Sequence, residues 1–132
     1  MDKEKIVQYL IKNGLNDIQE LSCNDEAIVL RFFYDFDDEE LSAAKAYAND
    51  ESGEEAESDK WYYNYFLPYL SDLSVDNAGE IIENLMEEIN LEAQYTTYEI
   101  DKEDYDYNEF VAAFYEKGKD VDLDKILDKL ED

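Results

Sequence analysis

On average every fifth residue carries a negative charge that nothing else in the chain neutralises. Over 132 residues, 37 Asp and Glu stand against 11 Lys and Arg, with no His, for a net charge of −26. Such self-repulsion opposes any compact state. Combined with a mean hydropathy of −0.67, it points toward disorder unless enough apolar surface can be buried. Leu, Ile, Val and Phe supply 33 residues, a quarter of the chain. That exceeds the roughly 20% below which a charged chain is read as disordered. Twelve Tyr, six Phe and one Trp add side chains that can each bury about 150–250 Å². One folded domain over residues 1–132 is therefore expected, with the charge on its surface.

The same charge excludes functions. Phosphate contacts would be repulsive, so a general nucleic-acid or anionic-membrane binder is excluded. The single Arg31 leaves no bidentate phosphate clamp to build. Without His the usual proton shuttle and commonest metal ligand are missing. The lone Cys23 permits neither an intrachain disulfide framework nor a paired-cysteine zinc site. No window approaches a membrane span, and the N-terminal Met1-Asp2-Lys3-Glu4-Lys5-Ile6 lacks a signal-peptide core. A cytoplasmic protein is the expectation.

Periodicity predicts the elements. Residues 2–14 read as a helix, capped by Asp2 and stopped by Gly14, with Ile6, Val7, Leu10 and Ile11 on one face. Residues 17–23 and 26–36 read as strands, the second alternating Ile28, Leu30, Phe32, Tyr34 and Phe36. A helix is expected from Asp37–Asp38 through Ala48, and a mobile acidic loop over 49–59. Six aromatics crowd residues 61–69, where Pro68 should bend or end a helix. Helices are expected at 76–90, 106–117 and 122–130, and a strand at 92–100. The fold class implied is α+β: a small antiparallel sheet of about three strands covered by five to six helices.

No catalytic motif emerges. Asp104, Asp106 and Asn108 occupy the first, third and fifth positions of a calcium-loop spacing, but Glu109 stands where Gly is required and Tyr115 where Glu is required. No metal or cofactor is implied. With 37 carboxylates, close pairs arise by chance and identify no acid–base dyad. Cys23 has no His to activate it. An enzyme is not expected.

What stands out is tyrosine interleaved with carboxylates, a mixture suited to a basic partner through ring faces and charge. Two stretches are the candidate partner-binding surface. One comprises Asp35, Asp37, Asp38, Glu39 and Glu40 with Asp50, Glu51, Glu54, Glu55, Glu57 and Asp59. The other comprises Tyr98, Asp101, Glu103, Asp104, Tyr105, Asp106 and Tyr107. A compact domain of this length is about 36 Å across, a distance over which duplex DNA presents roughly 21 phosphates. The charge of −26 is of that order. In size and charge the chain resembles the small acidic inhibitors of phages and mobile elements that block restriction or CRISPR nucleases. The resemblance implies a nucleic-acid mimic acting on a basic nucleic-acid-binding protein. The alternatives are an immunity protein that neutralises a toxin, and a regulatory interaction domain whose carboxylates spread over all faces.

Overall fold

The computed structural model describes residues 1–131. Its elements run α1 (Lys3–Lys12), β1 (Asn16–Cys23), β2 (Ile28–Asp35), α2 (Asp38–Ser52), α3, β3 (Leu91–Thr97), β4 (Tyr107–Glu116) and α4 (Leu123–Glu131). Helix α3 is a continuous rod of three segments: Asp59–Trp61, the π-helical Tyr62–Phe66, and Leu67–Ile89. The four strands form one antiparallel sheet in the order β1-β2-β4-β3. The α+β class therefore stands, but the count of three strands and five to six helices is corrected to four of each among the described residues.

The largest correction concerns residues 106–117, expected as a helix and found as the central strand β4. Phe110, Val111 and Phe114 have helical spacing, yet β4 pairs with β2 and β3 along both edges. Its two faces are both buried. Phe110, Ala112 and Phe114 enter the main core, and Val111 and Ala113 enter a smaller one. A strand covered on both sides loses the alternation of polar and apolar residues that identifies a strand in sequence.

Helices α1 and α3 pack on one face of the sheet. Ile6 and Leu10 from α1, and Ala78, Ile82 and Leu85 from α3, meet Ile28, Leu30, Phe32 and Phe114. Helix α4 covers part of the opposite face through Leu123, Ile126 and Leu127. Its start is fixed by Gln94 of β3, whose Oε1 accepts from the Leu123 amide at 3.0 Å and whose Nε2 donates to the Tyr115 hydroxyl at 2.9 Å. A further core joins α2 to the first half of α3. Ala44 and Ala48 let the two helices approach Trp61, Phe66 and Leu70.

Pro68 does not end its helix. The Leu67 amide bonds back to the Tyr62 carbonyl, five residues away. This widened turn sits directly before the proline, so the ring enters without pressing on a tight preceding turn. Helix α2 also runs further than expected, absorbing residues 49–52 of the predicted loop and ending at Gly53 with φ 64°.

Candidate functional site

Strands β2 and β4 are neighbours in the sheet, and everything between them in sequence is an excursion, residues 36–106. It carries 22 Asp and Glu against three Lys, a net −19. The other 61 residues hold 15 carboxylates and eight cations, a net −7. Charge is thus concentrated on α2, α3 and the loops around them.

The structure brings parts of the two candidate stretches together. The Phe36 amide donates to the Asp106 carbonyl at 2.9 Å, placing residues 35–40 beside 101–106. Lys102 reaches across to Asp59 at 2.9 Å, and the carboxylate raises the pKa of that lysine through its hydrogen bond. The loop turns tightly where the Asp104 amide meets the Asp101 carbonyl at 3.1 Å. Several candidate side chains have structural work within the fold. Asp37 and Glu40 form a reciprocal cap on α2, with bonds of 2.8 and 3.0 Å. Glu54 pairs with Lys60 at 3.3 Å. Asp101 accepts from the Glu103 amide, and Asp35 from Asn16. Asp104 accepts from the Tyr107 hydroxyl at 2.8 Å, which raises that phenol's pKa. Tyr105 packs edge-on against Phe66 at 4.9 Å and belongs to the α2–α3 core. Asp38, Glu39, Asp50, Glu51, Glu55, Glu57, Glu103 and Asp106 are exposed. Asp50 and Glu51 lie at the far end of α2, about 18 Å along the helix from Asp38. Tyr98 stands apart on the other side of the sheet, in a groove shared with Arg31, Glu109 and α4.

Tyr34 ties three elements together beneath this surface. Its hydroxyl donates to Glu40 of α2 at 2.6 Å and accepts from Asn77 of α3 at 2.8 Å. Burial, reinforced by the Glu40 carboxylate, pushes the phenol up to about 12.

A more regular feature lies on α3. Asp72, Asp76, Glu80, Glu83 and Glu87 are all exposed. Their spacing of three or four residues sets them in one stripe, and this stripe lies opposite Leu70, Ser74, Ala78, Ile82 and Leu85, the buried face. It runs about 22 Å along the helix. No Lys or Arg occurs between Lys60 and Lys102, so no neighbour on the helix can neutralise it. Toward the N-terminus the stripe continues into tyrosines. The Tyr47 ring of α2 lies 5.2 Å from Tyr69 and 6.4 Å from Tyr65. Tyr47, Tyr65, Tyr69, Pro68, Asp72 and Asp76 line a groove of about 340 Å³. None of the five stripe residues belongs to the two stretches expected to bind a partner, although their spacing is present in the sequence. The stretches at 35–40, 49–59 and 101–106 are denser in charge and draw attention first.

Among the described residues no cluster of three or more His, Cys, Asp or Glu is arranged to hold a metal ion, and no helix is long and apolar enough to cross a membrane. No protein-family model, curated protein sequence or solved structure matches this chain.

Proposed function

We propose that the protein is an acidic mimic of nucleic acid that binds and inhibits a basic nucleic-acid-binding protein, such as a restriction or CRISPR nuclease. It acts by occupying the surface that holds phosphates, and it performs no chemistry of its own. The observation that carries this reading is the α3 stripe: five carboxylates in a line, with no cation among them. Over the same 22 Å or so, one strand of duplex DNA presents about six phosphates. The stripe thus approaches the linear charge density of a strand, on a rigid helix whose other side is anchored in the core. The uneven split of charge between the excursion and the rest of the chain supports an aligned surface over a uniformly acidic coat.

Binding of this kind is steered by long-range charge and weakened by salt. The test is displacement of labelled duplex DNA from candidate nucleases, read by fluorescence anisotropy at low and at physiological salt. The protein is expected to displace DNA, less well as salt rises. The triple variant Asp76→Lys, Glu80→Lys, Glu83→Lys is expected to do so about tenfold less well. Failure to displace DNA from any nuclease of the host or its neighbouring genes refutes the reading.

A further inference from the structure

We infer that the groove between α2 and the start of α3 is a receptor for an arginine side chain of the partner. This rests on the proposal that the partner is basic, and it names the point where that partner is anchored. Three observations converge on it. The Tyr47 ring lies 5.2 Å from that of Tyr69 and 6.4 Å from that of Tyr65, and Tyr47 remains 41% exposed. Tyrosine faces attract cations, and a planar guanidinium stacks on them as an ammonium does not. The groove closes on Asp72 and Asp76, one helical turn apart on the exposed side of α3 and placed to receive the two sides of a guanidinium fork. No Lys or Arg is among the residues lining it.

Elsewhere on α3 the chain satisfies a cation of its own with the same two kinds of group. There Lys102 lies over the Tyr63 ring at 5.9 Å and bonds Asp59 at 2.9 Å. Cation, tyrosine face and carboxylate are all present and all internal. In the Tyr47 groove the tyrosines and carboxylates recur without the cation. Pro68 and Asp72 line both the Tyr47 groove and a second groove that holds Tyr63. A side chain entering the Tyr47 groove would lie at the head of the acidic stripe, in register with the charges that follow it.

The experiment uses the intact protein, labelled for NMR, titrated with N-acetyl-arginine-methylamide and with the lysine equivalent. The arginine probe is expected to shift the ring resonances of Tyr47 and Tyr69 and the amides around Asp72 and Asp76. It should bind there about threefold more tightly than the lysine probe. Tyr47→Ser and Asp72→Asn/Asp76→Asn change exposed side chains and should keep the native spectrum. Each should weaken arginine binding at the groove about threefold to fivefold. Shifts spread evenly along α3, or equal binding of both probes, overturn the inference. So does binding indifferent to Tyr47→Ser. If the groove responds as expected while nuclease competition fails, the arginine receptor stands and the mimicry reading falls. If competition holds while the groove is silent, the reverse applies.

Discussion

Tyr34→Phe isolates the hydroxyl that joins β2, α2 and α3. The ring stays, so packing is preserved and only two hydrogen bonds are lost. One runs to the Glu40 carboxylate at 2.6 Å and one comes from Asn77 at 2.8 Å. A bond to a charged group contributes about 1.5–3 kcal/mol and a neutral one about 0.5–1.5 kcal/mol. Glu40 and Asn77 are only partly buried and water can replace the lost partner, so the lower values apply and the sum is about 2 kcal/mol. The unfolding entropy of a chain this long corresponds to about 0.28 kcal/mol per degree, so the melting temperature should fall by about 7 °C.

The pH dependence sharpens the test. The folded phenol titrates at about 12, against an ordinary value of 10.0. The native state therefore holds this proton more tightly than the unfolded state. The stabilisation is complete below pH 10 and is lost as pH rises through about 12. The phenylalanine variant has no such proton. Urea unfolding of both proteins, followed by circular dichroism up to about pH 11.5, should show the stability gap narrowing over that window. A gap below about 0.5 kcal/mol at neutral pH, or one that stays constant through the alkaline range, refutes the reasoning.

Ser74→Ala should cost about 1–3 kcal/mol in a thermal melt, because Asn108, 2% exposed, donates to the Ser74 hydroxyl at 2.7 Å and would be left buried without it; an unchanged midpoint contradicts this. A methyl group at Gly79 would stand 2.7 Å from the Tyr95 hydroxyl oxygen but 3.6 Å from the ring carbon that bears it. Gly79→Ala should therefore approach its full helix-propensity gain of about 1 kcal/mol only alongside Tyr95→Phe, and equal gains in both backgrounds would disprove the clash. Stability should rise with sodium chloride as the excess of negative charge is screened, and a melting temperature indifferent to salt would mean that the charges are already spaced beyond mutual influence.

The elements legible in sequence are those in which polar residues break the apolar pattern on one face. Helix α1 reads correctly down to its ends, because Asp2 caps it through the Lys5 amide at 3.2 Å and Gly14 follows with φ 97°. Strand β2 reads correctly because Arg31 and Asp35 interrupt its apolar run on one side. β4 has no such interruption between Phe110 and Tyr115, and its adjacent alanines favour a helix locally; only pairing with two neighbours decides against it. Continuation past Pro68 depends on the π turn before it, which no spacing in the sequence announces. At the candidate site, the convergence of residues 35–40 with 101–106 needed the sheet. The α3 stripe needed only the recognition that the helix continues unbroken from Leu67 to Ile89. Reading a helix that begins at residue 76 cuts Asp72 from the stripe and separates its carboxylates from the tyrosines.

The placement of the acidic excursion between two neighbouring strands also governs how the chain reaches its fold. Ile28–Asp35 pairs directly with Tyr107–Glu116, so the central ladder cannot form until the ends of a strongly like-charged segment meet. Closing a loop of that length is already slow on entropic grounds, and mutual repulsion within it adds to the barrier. Screening should then quicken folding more than it slows unfolding, making ionic strength a kinetic control on the assembly of the sheet.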